Sequence, residues 1–241
     1  MIPEELAGRV QAAGRETPGG LAAFDADGTL WREDVGEAFL RHLVSLGWVK
    51  LPDGSDPYEA YERAVDRDRE TGYAYAAQLM AGLEQQQIAS EALRFSLGWV
   101  PPRLIADTQG LRMLCQLSGL VPVVVSASAL PIVLAAAPLA GFRPEQCRGI
   151  EVAVREGRFT AEVQRPVTYG RGKVASAAAL GRAVAGDGAG RALVLGCGDS
   201  FTGDLAMLEA ARIAVVVAPA AGSPLSIEGR KRGWPVLTQD A

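Results

Sequence analysis

Two aspartates separated by one residue end a short apolar run near the start of the chain. Asp25 and Asp27 follow Leu21–Phe24 directly, and Gly28 and Thr29 come next. A short apolar run bounded by turn residues predicts a buried strand. Residues i and i+2 of a strand end point to one side, so the two carboxylates face one small volume. A cation or a shared proton relieves their repulsion, and Mg²⁺ suits oxygen ligands of this kind. A polar Asp-Gly turn explains the pattern equally well.

A second pair of carboxylates follows a later predicted strand. Residues 192–195 are apolar, and Asp199 and Asp204 come after them in the run Gly-Cys-Gly-Asp-Ser-Phe-Thr-Gly-Asp. The glycines let the backbone approach a ligand closely. A loop that ends in a helix-capping aspartate is the alternative interpretation. Two acidic strand ends in one sheet favour a shared site, because ligands bind along the carboxyl edge of such sheets.

Two further polar residues stand beside predicted helix starts. Ser126 follows the β-branched run 121–125, which is typical of a strand buried on both faces. A hydroxyl together with backbone N–H groups at a helix start forms an anion site, although a plain helix cap is the commoner use of serine there. Lys173 begins the alanine-rich segment 173–184, where a lysine can neutralise a phosphate or hold a carboxylate.

The elements that position these residues alternate between strands and helices after Pro102. This alternation predicts a parallel sheet with helices on both faces, which is an α/β fold. The chain from residue 150 to 163 predicts a hairpin that turns at Glu156 and Gly157. Gly-rich residues 186–190 predict a loop. The predicted strands cover 21–24, 121–125, 192–195 and 213–217, and the predicted helices cover 104–117, 129–139, 173–184 and 205–211.

Residues 31–106 differ in pattern from the rest of the chain, because strand-like runs are missing there. Helical periodicity places Val35, Phe39 and Leu43 on one face of a helix over 33–46. Asp56 followed by Pro57 predicts a helix start. The region therefore predicts a helical insert between the first and second strands, with helices over 33–46, 56–70, 73–83 and 90–97.

The ordered set of motifs resembles the haloacid dehalogenase superfamily, close to its phosphoserine-phosphatase-like branch. The first motif of that family matches Asp25-Ala-Asp27-Gly-Thr-Leu, and the second matches Ser126 after three valines. The third matches Lys173, and the fourth matches Gly-Asp199 with Asp204. The resemblance implies a Rossmann-like core over residues 1–30 and 107–241. It also implies a C1-type helical cap domain over residues 31–106, inserted after the first strand.

The resemblance also implies a mechanism of phosphoryl transfer. Asp25 attacks phosphorus and forms an aspartyl-phosphate, while Asp27 protonates the leaving alcohol and then activates water. Ser126 and Lys173 hold the phosphoryl oxygens. Such a scheme agrees with physical expectation, because a carboxylate that attacks a phosphate dianion needs positive charge nearby.

The implied cofactor is Mg²⁺. The resemblance gives the metal to Asp25, Asp199 and the backbone carbonyl of Asp27, with Asp204 in or just outside the ligand shell. Asp27 must carry a proton for the first step, so we expect its pKa to be raised.

Several functions remain open at the level of sequence. Alkyl halide displacement needs no acid for the leaving group, so the presence of Asp27 favours a Mg²⁺-dependent phosphomonoesterase that acts on a small phosphate ester. A phosphomutase would use the same chemistry, and a catalytically silent binding module is a third possibility. Hydrolysis of an aryl phosphate that is lost with EDTA would separate the enzyme from the module.

Substrate choice is expected to lie in the insert. In phosphoserine phosphatases an acidic residue a few positions after the first motif recognises the substrate amine, and Asp34 falls at that place, close to Trp31. A solvated helix start explains Asp34 equally well. The aromatic residues of the insert either form its core or cage a quaternary ammonium group such as that of phosphocholine. The candidates for a carboxylate-binding arginine are Arg63, Arg67, Arg69 and Arg94.

Composition excludes several classes of function. The chain has 241 residues, a net charge of −4 and three scattered cysteines. The sequence therefore predicts no nucleic-acid partner and a reducing, cytoplasmic location. Residues 113–142 carry no charge, but three prolines and two central serines predict that they do not span a membrane. No pattern in the sequence sets the oligomeric state.

Overall fold

A computed structural model describes residues 2–185 and 190–239 of the chain. Within these residues the core is one six-stranded parallel sheet with the strand order β3-β2-β1-β6-β7-β8, and β4 and β5 form a separate antiparallel hairpin. This is the α/β Rossmann-like fold that the sequence predicts. The strands are β1 (Leu21–Phe24), β2 (Val121–Ala129), β3 (Cys147–Ile150), β4 (Val152–Arg155), β5 (Arg158–Val163), β6 (Leu193–Gly198), β7 (Ile213–Ala218) and β8 (Val236–Thr238).

The central strand β1 is buried on both faces. Leu21 and Ala23 pack into the apolar cluster on one side of the sheet, and Ala22 and Phe24 pack into the cluster on the other. Successive side chains of a strand point to opposite faces, so a strand covered on both sides has a continuous run of apolar residues. β2 and β6 flank β1 in parallel register, which brings their carboxyl ends to one edge.

Helices cover both faces of the sheet and fill the insert. Four of them lie between β1 and α6, where the sequence predicts a helical insert. The helices are α1 (Glu4–Glu16), α2 (Val35–Ser45), α3 (Pro57–Arg67), α4 (Arg69–Gln78), α5 (Gln85–Trp99), α6 (Ala106–Leu117), α7 (Leu130–Ala136), α8 (Arg171–Ala185), α9 (Phe201–Ala210) and α10 (Pro224–Lys231).

Aspartate side chains begin the first three helices of the insert. Asp34 accepts a hydrogen bond from the backbone of α2, Asp56 does so for α3, and Asp68 does so for α4. The helix start predicted at Asp56 and Pro57 is therefore confirmed. Such a cap satisfies N–H groups that have no partner within the helix.

The insert leaves the core and returns to it through two neighbouring chain segments. Arg32 N donates to Arg103 O at 2.9 Å, and Ile105 N donates to Leu30 O at 3.1 Å. The domain boundaries at 30/31 and 106/107 stay a prediction, and these paired segments lie beside them. The β4–β5 hairpin also contacts the insert, since Phe159 N donates to the carbonyl oxygen at position 83 at 3.0 Å.

Several predicted elements have different bounds in the structure. Residues 150–154 do not form one strand, because β3 joins the parallel sheet up to Ile150 and β4 starts the hairpin at Val152. Helix α4 begins at Arg69 rather than at residue 73. Strand β2 continues four residues beyond the predicted end at residue 125. α10 and β8 at the far edge of the sheet lack a predicted counterpart.

No helix in residues 2–185 and 190–239 is long and apolar enough to cross a membrane. The uncharged residues 113–142 instead contain the end of α6, all of β2 and all of α7. Within the predicted loop 186–190, residues 186–189 lie outside the residues that the structure describes.

Candidate active site

The two aspartates of the first motif follow β1 at the carboxyl edge of the sheet. Asp25 N donates to Cys197 O at 2.9 Å, which extends the pairing of β1 with β6 to the first carboxylate. The chain then turns at Gly28, where φ is +76° and a Cβ atom would lie 2.2 Å from Asp199 Oδ2. Only glycine fits both the positive φ and the close approach. This turn therefore lets the ends of β1 and β6 meet.

Asp25 is almost completely buried beside a buried lysine. Lys173 Nζ donates to Asp25 Oδ1, and Thr29 Oγ1 donates to Asp25 Oδ2 at 3.3 Å. The exposed fraction is 5% for Asp25 and 2% for Lys173. The third and first motifs of the sequence therefore meet as one buried ion pair.

Asp204 holds this ion pair in place from α9. Lys173 Nζ donates to Asp204 Oδ1 at 2.5 Å. The other oxygen, Asp204 Oδ2, accepts from Asp199 N at 3.1 Å and from Ser200 N at 2.9 Å. Both oxygens of Asp204 thus have donors already, so this residue orients Lys173 and the loop that carries Asp199.

The carboxylates carry more negative charge than Lys173 balances. Burial raises the pKa of Asp25 to about 7, with Asp204 as the next contribution. Burial, followed by the charge of Asp25, raises the pKa of Asp199 well above its usual value. Burial alone would lower the pKa of Lys173, but Asp204 and Asp25 outweigh it and raise the pKa. A further cation at this position would favour the ionised carboxylates.

Three aspartates could hold that cation. Oxygen atoms of Asp25, Asp199 and Asp204 all lie within 4.8 Å of one another. A cluster of carboxylate oxygens with excess negative charge matches a hard divalent ion such as Mg²⁺. The residues present therefore fit the cofactor that the sequence predicts.

Asp27 lies in different surroundings from Asp25. Its Oδ1 accepts from Trp31 Nε1 at 2.8 Å and from Val35 N at 2.7 Å. Its Oδ2 accepts from Ser128 Oγ at 2.7 Å, and Ser126 Oγ lies at 3.5 Å. Burial raises the pKa of Asp27, while these donors oppose the increase. The hydrogen-bond partners of the two aspartates thus differ. Asp25 is paired with the charged Lys173, whereas Asp27 accepts from neutral donors.

Of the two serines at the end of β2, Ser128 lines the cavity and Ser126 does not. Ser126 is fully buried, and its Oγ accepts from Ser128 N at 3.0 Å. Ser128 lines the cavity and was not singled out from the sequence. Because β2 continues to Ala129, Ser126 and Ser128 share one face as residues i and i+2. That spacing is the signal that could have identified Ser128.

A cavity of about 670 Å³ opens over these side chains. The core contributes Asp25, Asp27 and Lys173 to its wall, and the insert contributes Asp34 and Arg69. Further residues of the wall are Gly28, Glu33, Tyr73, Ala127, Ser128, Tyr169, Asp199, Ser200, Phe201, Thr202, Gly203, Pro224 and Gln239. The motif residues and the insert therefore enclose one space.

Some of the residues predicted to select the substrate line the cavity, and others do not. Asp34 lines the cavity, and burial followed by the charge of Asp27 raises its pKa well above the usual value. Trp31 is fully buried against Asp27 and does not line this cavity. Of the four candidate arginines, all described, Arg69 alone lines the cavity. Gln239 also lines the cavity and donates to Gly28 O at 2.7 Å, and no motif in the sequence points to it.

The insert touches the core across the cavity. Arg69 donates to Thr202 Oγ1 at 3.4 Å. The rings of Tyr73 and Tyr169 lie 5.5 Å apart between their centroids. Other aromatic residues of the insert, such as Tyr61, are buried within it, where Tyr61 donates to Glu37 at 3.1 Å. The aromatic residues therefore divide between the core of the insert and the cavity wall.

Residues 22–209 match the family model described as haloacid dehalogenase-like hydrolase. Because this match spans most of the chain, the protein belongs to the haloacid dehalogenase-like hydrolase family. No curated protein matches the chain.

Solved structures share the fold at low sequence identity. A protein of unknown function from Bordetella pertussis Tohama I is 21% identical, with a TM-score of 0.78, 92% of this chain covered and 100% of that chain. A phosphoserine phosphatase in apo form is 15% identical, with a TM-score of 0.59 and coverage of 92% and 94%. A phospho-aspartyl intermediate analogue of phosphoserine phosphatase is 14% identical, with a TM-score of 0.58 and the same coverage. The fold is therefore phosphoserine-phosphatase-like.

Proposed function

We propose that the protein is a Mg²⁺-dependent phosphomonoesterase that hydrolyses a small phosphate ester through an aspartyl-phosphate on Asp25. The observation that carries this proposal is the contrast between its two neighbouring aspartates. Asp25 lies with Lys173 and the acidic cluster, whereas Asp27 lies among neutral donors. Paired carboxyl groups in unlike environments suit a nucleophile beside an acid–base residue.

The chain's own residues account for both displacements. In the first, a carboxylate oxygen of Asp25 forms a bond to phosphorus while the bond to the ester oxygen breaks. The departing oxygen keeps that electron pair and takes the proton of Asp27. In the second, Asp27 takes a proton from water as the water oxygen bonds to phosphorus, and the bond to Asp25 breaks to release phosphate.

Positive charge and donors surround the expected position of the phosphoryl group. Lys173, fixed by Asp25 and Asp204, offsets the charge of the phosphoryl oxygens. Ser128 Oγ faces the same cavity, with Ser126 behind it. When bound by Asp25, Asp199, the carbonyl of Asp27 and, directly or indirectly, Asp204, Mg²⁺ would supply further positive charge for the transferring group.

The cavity wall supports an amine-bearing substrate. Asp34 contributes a carboxyl group to the same cavity as the motif residues, and Arg69 offers a cation for a substrate carboxylate. Phosphoserine carries both groups. Tyr73 and Tyr169 would suit a quaternary ammonium group such as that of phosphocholine. The volume of about 670 Å³ suits a small metabolite with bound water.

The testing experiment measures phosphate release from a panel of esters with Mg²⁺, for the wild type and Asp25→Asn. The panel contains phosphoserine, phosphocholine, histidinol phosphate, sugar phosphates and 4-nitrophenyl phosphate. We expect turnover of an amine-bearing ester that EDTA abolishes and that Asp25→Asn lowers by at least about 10³-fold. Asp53→Asn, an exposed aspartate outside the cavity, is the matched control.

Three other outcomes would change the assignment. Activity that survives Asp25→Asn would exclude the aspartyl-phosphate route. Transfer of the phosphoryl group between positions of a sugar, without release of phosphate, would indicate a phosphomutase. A folded wild type that binds esters without turnover would indicate a binding module.

A further inference from the structure

Both hydrogen bonds to Asp27 Oδ1 come from groups that can only donate. Trp31 contributes its indole Nε1–H at 2.8 Å, and Val35 contributes its backbone N–H at 2.7 Å. Neither nitrogen can accept a proton in return. Oδ1 therefore remains an acceptor in both protonation states of Asp27, because a proton placed there would face two donor hydrogens.

The other oxygen of Asp27 has a partner that can change roles. Ser128 Oγ lies 2.7 Å from Asp27 Oδ2, and a hydroxyl group either donates or accepts. Ser128 donates to the carboxylate and accepts from the carboxylic acid. The proton that the first displacement needs is therefore directed to Oδ2, beside a residue that lines the cavity.

The surrounding chain fixes both donors firmly. Trp31 is fully buried and lies where the insert leaves the core, in a bridge with Leu104. Val35 is the first residue of α2, whose cap is Asp34. Gly36 leaves space for the serine, because a Cβ atom there would lie 2.4 Å from Ser128 Oγ.

We propose that Trp31 is a positioning residue that, with the backbone N–H of Val35, directs the proton of Asp27 to Oδ2 for transfer to the leaving group. The proposal rests on the proposed function. Trp31 contributes to the reaction through Asp27 and makes no contact with substrate. It thus acts on the release of the alcohol and not on the choice among substrates of equal reactivity.

The first measurement does not depend on turnover. The chain has four tryptophans, and Trp31→Phe assigns the indole N–H signal of residue 31 in a ¹⁵N–¹H spectrum. We expect that signal to lie downfield and to move upfield in Asp27→Ala, while the other three indole signals stay in place. An indole signal of residue 31 that does not respond to Asp27→Ala would overturn the proposal whether or not the protein is active.

The second measurement compares a good and a poor leaving group. We expect Trp31→Phe to lower kcat/KM by about tenfold or more for the best alkyl ester of the panel, and by less than about threefold for 4-nitrophenyl phosphate. Asp27→Asn removes the proton donor itself, so it gives the largest difference between the two esters in the loss of kcat/KM. Trp99→Phe, a half-buried tryptophan outside the cavity, serves as the control and should leave both values unchanged.

A second variant covers the case in which Trp31→Phe fails to fold. Benzothienylalanine at position 31, installed at an amber codon, replaces the indole N–H by sulfur and so removes only the hydrogen-bond donor. The analogue keeps the size and shape of the ring system, so it preserves the packing of this fully buried side chain. We expect the same selective loss for the alkyl ester.

These measurements distinguish a failure of the role of Trp31 from a failure of the proposed function. Equal losses for both esters, in variants of a wild type that hydrolyses them, would overturn the role of Trp31 and leave the proposed function intact. A wild type that hydrolyses neither ester with Mg²⁺ would overturn the proposed function and this role together, even if the indole signal responds to Asp27→Ala.

Discussion

Asp25 and Asp27 are two residues apart, and burial raises the pKa of both, but their hydrogen-bond partners differ. Asp25 shares Lys173 with Asp204, so its ionisation depends on the balance of charge in the cluster. Asp27 is surrounded by an indole, a backbone amide and two hydroxyls. The single intervening residue therefore separates a group suited to bond formation from a group suited to proton transfer.

The raised pKa of Asp25 predicts how stability changes with pH when divalent cations are removed. The folded protein holds this proton up to about pH 7, whereas the unfolded chain releases it near the ordinary value of 3.8. The folded state then binds more protons, so the free energy of unfolding falls as pH rises through that window. We expect Asp25→Asn to reduce the slope in urea titrations with EDTA.

Added Mg²⁺ should restore stability at pH 7, because it favours the ionised carboxylates. The control is Asp53→Asn, whose aspartate is exposed, and it should keep the slope of the wild type. A slope that Asp25→Asn leaves unchanged would show that Asp25 does not hold the proton.

At the scale of elements, the turn after β1 sets how closely the two acidic strand ends approach. Gly28 has a φ of +76° and Gly54 has a φ of +75°, but a Cβ atom would meet Asp199 only at Gly28. Replacement by alanine costs about 1 kcal/mol of backbone strain at either site. We expect Gly28→Ala alone to weaken Mg²⁺ binding by at least about tenfold in calorimetric titrations.

Gly54→Ala is the matched control, because no atom beyond its two neighbours in the chain lies within 4 Å of the Cβ position there. Wild-type Mg²⁺ affinity in both variants would mean that Asp199 can move without loss of the metal. A loss in both would assign the effect to strain and not to contact with Asp199.

The strand ends could be predicted because each apolar run stops where polar residues begin. The continuation of β2 past residue 125, on which the i, i+2 spacing of Ser126 and Ser128 depends, could not, since the alternating Ser and Ala lack the β-branched pattern of 121–125. A parallel partner extends the strand there, as Ala129 pairs with Ile150 of β3. Pairing between distant segments, and not local propensity, therefore decides the end of β2.

The edges of the sheet and the insert were harder to predict for a similar reason. β8 has three residues, and it forms by pairing with β7. The change from β3 to β4 at Glu151 depends on two different partners, β2 and β5. Arg69 could be chosen among four arginines only once the helices were placed against the core.

At the scale of the whole molecule, the insert forms one wall of the cavity and contacts the core on the far side. Arg69 reaches Thr202, and Tyr73 packs against Tyr169. These contacts are exposed or half-buried, so a substrate group that binds Arg69 would replace the weak hydrogen bond to Thr202 at little cost.

Arg69→Ala tests whether the insert recognises a substrate carboxylate. We expect KM for phosphoserine to rise about tenfold, because a charge-assisted hydrogen bond is lost, and KM for phosphoethanolamine to stay unchanged. Arg67→Ala changes an exposed arginine of α3 that does not line the cavity, and it serves as the control. An equal rise for both esters would assign Arg69 to closure of the insert and not to the carboxylate.

The two paired crossings at residues 30–32 and 103–105 hold the ends of the insert together. The length of chain between them therefore has little effect on the entropy of closing the sheet. A different insert could be grafted there if it replaces the apolar packing of the present one against α7 and β2. The first five residues are the exception, because Trp31 and Val35 contact Asp27. A graft that begins after Val35 would exchange the substrate while the proton donor keeps its setting.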